Sequence, residues 1–187
     1  MPTSPFLSDE DLLVKNAQKN PEAFAELYRR YVQRVYRYHI IRTGSVEDAQ
    51  DLTTQTFLTA LERLHSFQGR GSFCAWLLGI ARHKLALHFR SRRPLTRLEE
   101  ADDRLDPAPL PETITGQRSQ MAQVSQALSR LTPDRMEALA LRYFADLSTA
   151  ETGKVMGKSE AAVKMLVSRG LHDLRERLGL AMQEDFA

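Results

Sequence analysis

A chain of 187 residues, 42% of them hydrophobic and 27% charged, is long enough for one ordinary domain or two small ones with a real core. Its single cysteine, Cys74, excludes an internal disulfide and suits a reducing cytosol. No stretch approaches the ~20 apolar residues that span a bilayer, and the start MPTSPFLSDEDLL lacks the basic and apolar regions of a secretory signal, so a cytoplasmic protein is expected.

Helix signals recur along the chain, without strand signals, an internal repeat or a βαβ pattern, so the expected fold class is all-α. Asn20-Pro21-Glu22 reads as an N-cap followed by Pro at the first helical position. In the helix it opens, Phe24, Leu27, Tyr28, Tyr31, Val35 and Tyr38 recur at helical spacing until Gly44 ends the run. Ser45, with Glu47 and Asp48 behind it, opens a second helix over 46–64. Its buried face is expected to be Val46, Ala49, Phe57, Ala60, Leu61 and Leu64. Leu52 and Leu58 fall outside that stripe, beside Asp48, Asp51, Gln55 and Glu62. Apolar residues set among acidic ones suit docking to a basic protein partner, although single exposed leucines are common.

The glycines of Phe67-Gln68-Gly69-Arg70-Gly71-Ser72 mark a loop, and the helix after it changes character along its length. Phe73, Trp76, Leu77, Ile80 and Leu87 share one face and would pack on the two preceding helices. Arg82, Phe89 and Arg93 share another, with His83, Lys84, His88, Arg90 and Arg92 nearby and no acidic residue. Cations interleaved with aromatics suit single-stranded nucleic acid, where each stacked base is worth about 1–3 kcal/mol. A core helix with a solvated basic tail fits the same pattern.

Residues 94–116 hold four prolines and six acidic residues against two arginines, which is linker composition. Helical periodicity resumes in QRSQMAQVSQALSRL. Thr132-Pro133-Asp134 caps a helix over 133–146, Ser148 with Glu151 forms a capping box for the next, and Ser159 caps a last one running to about Leu178. The last two helices, joined by a Gly-containing turn, have the helix-turn-helix pattern. Val163, Leu166, Val167, Gly170, Leu171, Leu174 and Leu178 form the apolar stripe of the final helix. Ala161, Lys164, Met165, Ser168, Arg169 and His172 lie opposite, as a DNA recognition helix requires. An ordinary helical hairpin with a charged face has the same stripe. Two helical domains, 1–95 and 117–187, are expected on either side of an acidic linker over 96–116.

The three pieces in this order resemble a bacterial RNA polymerase sigma factor of the extracytoplasmic-function (ECF) group. The segments D-L-x-x-x-x-F, F-x-G-x-G-S-F-x-x-W-L-L-x-I-A-R and L-x-x-L-x-P-x-R-x-E-x-L-x-L-R-Y-F carry the resemblance, which covers nearly the whole chain. It implies that 1–95 is sigma region 2 and 117–187 region 4. It also implies binding to core RNA polymerase and promoter DNA. Asp48, Asp51, Leu52, Gln55 and Leu58 would dock on the polymerase clamp helices. Phe67, Arg70, Ser72, Trp76, Arg82, His83, Lys84, Phe89, Arg90 and Arg93 would melt the −10 element and hold a flipped base. Ser159, Ala162, Lys164, Met165, Ser168 and Arg169 would read the −35 element, while helix 133–146 touches the polymerase flap. An anti-sigma factor is a further partner by family analogy, and the location is cytoplasmic, on the nucleoid when polymerase-bound.

Four positions depart from the family pattern. His83 replaces the usual Asn, and Thr54-Gln55 lack the carboxylate of the usual Q-E. Ala162-Val163-Lys164-Met165-Leu166 stands for T-V-K-S-R, implying weak or unusual −35 binding. Glu151-Thr152-Gly153 stands for E-I-A, and a mid-helix glycine costs about 1 kcal/mol against alanine, predicting a softer C-terminal domain. Two other readings compete: a degenerate sigma-like regulator that binds polymerase or an anti-sigma factor without initiating, and a stand-alone helix-turn-helix regulator. No catalytic residue, metal or cofactor is expected. His83 and His88 do not share a helical face, Cys74 has no C-x-x-C partner, and there is no P-loop. The chain ends about nine residues beyond the recognition helix, so no large C-terminal extension is expected.

Overall fold

The computed structural model describes residues 9–69, 71–92 and 124–177, and they are helical with no strand among them. The 96–116 linker lies outside the described residues, as do Arg70, Arg93 and Leu178.

The N-terminal half has four helices: α1 (Asp9–Lys19), α2 (Phe24–Thr43), α3 (Val46–Arg63) and α4 (Phe73–Arg92). Helix α1 was not expected, yet Asp9, Glu10 and Asp11 in its first turn are a helix-start signal, and Val14 and Ala17 bury its inner face. The Asn20 side chain accepts from the Glu22 N–H at 3.1 Å, capping a 3-10 turn (Pro21–Ala23) that leads into α2. Gly44, at φ 68°, ends α2 in the left-handed conformation that glycine adopts without steric cost. Ser45 caps α3 as expected, accepting from the Asp48 N–H.

The C-terminal half comprises α5 (124–129), α6 (Pro133–Leu139), α7 (Thr149–Met156) and α8 (Glu160–Arg177). Two local expectations differ here. Thr132 makes no side-chain cap, leaving the N1 proline to start α6. The helix also does not run on to 146, because Ala140–Phe144 widens into a π turn, closed by the Ala145 N–H on the Ala140 carbonyl. That turn lies against α2, with Ala140 and Leu141 fully buried.

Two side chains assigned to buried faces are exposed, Leu61 (41%) and Leu87 (36%), as is Tyr28 (45%) of the periodic run in α2. Tyr28 instead lies at the rim, edge-on to Phe57 with ring centroids 4.8 Å apart. One continuous apolar core runs through both halves, from Leu27, Tyr38, Phe73 and Leu77 to Leu128, Leu139 and Leu147. Helix α4 packs on α2 and α3, as its composition predicts, and also on α7 of the other half. This third neighbour explains why Cys74, Ala75, Leu77 and Leu78 are all buried although they lie on different faces of one helix. Burial pushes the Cys74 thiol up to about 11, which makes it an unreactive core group.

His39 is fully buried, its Nε2 3.2 Å from the Thr56 hydroxyl. Burial, then His88 and Arg42 nearby, push its pKa down to about 3. An unfolded histidine titrates near 6.5, so below that pH the unfolded chain binds a proton that the folded chain refuses. Stability is therefore complete above about pH 6.5 and falls as the pH drops towards 3. Urea melts should lose about 2 kcal/mol between pH 7 and pH 5. His39→Gln should flatten that slope, whatever its effect on stability at pH 7.

Candidate nucleic-acid interface

The outer face of α3 carries Asp51, Gln55 and Leu58 at successive turns. Gln55 donates to the Asp51 carboxylate at 2.8 Å, and Leu58 is 57% exposed. Two of the five docking residues do not join them. Leu52 is 2% exposed and belongs to the core, because it turns inward between Ala49 and Thr56 against the α2 side. Asp48 is turned towards α4, where Arg92 bonds it at 2.9 Å and His88 lies 3.8 Å away. Leu61 takes the place that the sequence pattern gave to Leu52: it supplies the second exposed leucine on this helix.

The loop after α3 and the start of α4 form an anchored aromatic cluster. Phe73 is almost fully buried, with Phe67 and Trp76 stacked around it at ring-centroid distances of 5.4–5.7 Å. Two contacts from α1 hold the loop in place. Gln18 donates to the Leu64 and Phe67 carbonyls, both at 2.9 Å, and the Glu10 carboxylate accepts from the Phe73 N–H at 2.9 Å. Ser72 caps α4 by accepting from the Ala75 N–H. Gly69 and Gly71, at φ 69° and 111°, make a turn that a side chain would strain. Neither Gln18 nor Glu10 was flagged in the sequence, because the fold brings them to this loop from about fifty or more residues away.

Beside this cluster lies a groove of about 790 Å³, lined by Phe67, Ser72, Trp76, Ile80, His83 and Lys84, by Glu62 and Arg63 of α3, and by Lys154 and Val155 of α7. Arg82, His83 and Arg90 are exposed. Phe89 is half-buried and packs edge-on to His88 at 5.6 Å, so it offers a base only part of its ring. The groove combines flat rings, an apolar wall and cations, the chemistry that holds unstacked bases and their phosphates.

In the C-terminal half, the Ser148–Glu151 capping box starts α7, and Gly157 at φ 67° ends it. Ser159 accepts from the Ala162 N–H at 3.2 Å and so caps α8. Lys164, Met165, Ser168 and Arg169 project outward from α8, Met165 being 49% exposed, while Ala162 is half-buried. Lys164 pairs with Glu160 at 3.0 Å. This exposed strip has an apolar centre, where Met165 suits contact with a methyl group better than with a phosphate. Burial raises the Glu151 carboxyl, but hydrogen bonds from Ser148 and Ser72 outweigh it and hold the group below the usual range.

Gly153 has a steric reason that the sequence did not reveal. A Cβ there would lie 2.7 Å from the Lys158 carbonyl oxygen, so the glycine permits the tight turn between α7 and α8 rather than softening it.

Described residues that are all helical, with a basic, aromatic-lined groove and a helix-turn-helix, define a DNA-binding protein. Family models agree on which kind. Sigma-70 region 2 matches residues 27–94, and Sigma-70, region 4, matches residues 121–174. The ECF RNA polymerase sigma factor BldN of Streptomyces coelicolor is 42% identical over 173 residues, covering 89% of this chain and 64% of that protein. The ECF RNA polymerase sigma factor SigX of Bacillus subtilis is 30% identical over 169 residues, covering 87% of each. The chain belongs to the ECF group of the sigma-70 family. Among solved structures, CnrH in complex with the cytosolic domain of CnrY has the same fold, with a TM-score of 0.69 at 24% identity over 92% of this chain and 98% of that one. RpoE of Bartonella quintana, in complex with the anti-sigma factor NepR, has a TM-score of 0.66 at 21% identity over 86% and 99%. Among the described residues no helix is long and apolar enough to cross a membrane.

Gly153→Ala should lower stability by about 1–3 kcal/mol, because the clash with backbone exceeds the gain of about 1 kcal/mol in helix propensity. Gly79→Ala, where an added Cβ meets nothing within 4 Å, should raise it instead. Thermal melts of the two variants should move in opposite directions.

Proposed function

We propose that this chain is an alternative sigma factor that binds core RNA polymerase and starts transcription at its own set of promoters. In this reading α3 docks on the polymerase clamp helices through Asp51, Gln55 and Leu58, with Leu61 extending the apolar contact. Asp48 acts indirectly, by holding the basic end of α4 through Arg92. The groove along α4 receives the melted −10 element. Phe67 and Trp76 line its aromatic end, Ser72 supplies a hydroxyl, and Arg82, His83, Lys84 and Arg90 supply donors for the strand. Arg70 and Arg93, outside the described residues, are assigned to the same strand by the family pattern. Helix α8 enters the major groove at the −35 element, with Lys164, Ser168 and Arg169 on the backbone and bases and Met165 on a thymine methyl. An anti-sigma factor is the expected protein antagonist, and the cytoplasm the expected location.

The observation that carries the reading is the groove itself, in which Phe67 and Trp76, backed by Phe73, stand beside Ile80, His83 and Lys84, while Arg82 and Arg90 lie outside its lining on the same helix. Charge along a strand and rings for its bases must be adjacent for a single strand to be held, and a duplex reader needs no such pairing.

Run-off transcription from the fragment upstream of the protein's own gene, with core polymerase, should give a specific start that depends on this chain. Arg82→Ala with His83→Ala should reduce it at least tenfold while leaving the affinity for core polymerase unchanged. Tight core binding without any transcript would favour a degenerate regulator, and no core binding would overturn the sigma reading.

A further inference from the structure

Helix α1 lies ahead of residue 27, where the match to Sigma-70 region 2 begins. Its apolar face accounts for its place in the fold. Val14 and Ala17 are buried, and the helix packs on α2 and on the 3-10 turn Leu64–Ser66. Two of its polar side chains reach further. Gln18 is exposed, and its amide donates to the Leu64 and Phe67 carbonyls, both at 2.9 Å. Glu10 is half-buried, and its carboxylate accepts from the Phe73 N–H at 2.9 Å. Gln18 therefore fixes the backbone at the last residue before the 68–72 loop, and Glu10 fixes it at the first residue after.

Between these two points the loop does little to hold itself. Among the described residues, one backbone bond lies inside it, from the Gly71 N–H to the Gly69 carbonyl at 3.0 Å, and both glycines have positive φ. Its other polar tie is the Ser72 hydroxyl, which donates to Glu151 of α7 and accepts from the Ala75 N–H. Phe67 and Phe73, the residues that α1 ties down, are also the ones whose rings flank Trp76 at centroid distances of 5.4 and 5.5 Å.

We propose that Glu10 and Gln18 are positioning residues for capture of the −10 base, which gives α1 a part in promoter melting. The inference rests on the −10 assignment of this loop and of the α4 groove. Extruding a base from a duplex loses its stacking and pairing, so the site that receives it must already be formed. A short loop with two glycines samples many shapes unless its ends are pinned. Hydrogen bonds from a helix packed on α2 hold both ends in one frame, so the loop is ordered on folding rather than at capture. A side chain that only stabilised the domain would weaken every step alike. These two act where the strand is opened.

The test uses the full-length chain with core polymerase and reads three quantities. They are affinity for core, run-off from the duplex promoter fragment, and run-off from the same fragment premelted across the −10 element by a mismatched template strand. Gln18→Met and Glu10→Met keep the length of the side chain and remove its hydrogen-bonding groups. Each should bind core as wild type does and lose roughly fivefold or more of the duplex transcript, as expected for one or two hydrogen bonds. On the premelted fragment each should come within about twofold of wild type. Glu10→Gln has the same charge as Glu10→Met but keeps an acceptor oxygen, so it should stay near wild type on both fragments. Wild-type duplex transcription by both methionine variants, equal losses on the two fragments, or Glu10→Gln failing like Glu10→Met would overturn the proposal. So would a drop in core affinity that matches the lost transcript. Arg82→Ala with His83→Ala, measured in parallel, keeps the two inferences apart. If it loses the duplex transcript while the methionine variants do not, only the positioning role falls. If it keeps the transcript, the −10 assignment falls and the positioning role with it.

Discussion

Everything in this molecule is arranged around the burial of α4. One side of the helix, from Phe73 to Leu85, is enclosed by α2, α3 and α7, while Arg82, His83, Arg90 and Arg92 stay exposed. A helix held this firmly cannot roll, so the strip left uncovered between Trp76 and Leu87 has a defined orientation. Rings on that strip keep their faces towards the groove because Phe73, locked in the core, backs them. Under the proposed function, preorganisation of this kind lowers the entropy lost when a strand is captured. The contacts from α1 to the loop serve the same end, since a mobile loop would lose that advantage.

Electrostatics divide the surface into regions with separate tasks. The arginines of α2 and α4 form one basic field, answered by Glu137, Asp146 and Glu151 from the other half. The acidic and apolar face of α3 points elsewhere and stays open. Such a layout leaves the acidic and apolar face of α3 uncovered while several basic side chains of α2 and α4 are paired with carboxylates. A buried charge like Glu137 is rarely a net source of stability, yet loss of either partner in its pair with Arg42 would leave the other buried and uncompensated.

Much of the local structure could be read directly from residue order. The Asn20, Ser45, Ser148 and Ser159 caps and the Gly44 stop act within a few positions of themselves, so spacing is enough to find them. Long motifs identified both family regions for the same reason. Errors arose wherever a residue had two helical faces available. Leu52 and Leu61 are nine positions apart with nearly equivalent claims on the core, and only the actual placement of α2 and α4 decides between them. The wide turn at Ala140–Phe144 has no local signal, since it answers to the surface of α2.

By itself the sequence determined most of the helices and caps, the family and the chemical character of most faces, because these depend on short-range periodicity and side-chain type. Tertiary structure alone decided which charges meet. Glu137 looks like an ordinary helix carboxylate in the chain, 95 residues from Arg42 and 99 from Tyr38. Gly153 looks like a weak point until the Lys158 carbonyl is seen against it. Both depend on distances across the fold, and no local pattern records a distance between segments that meet only after packing.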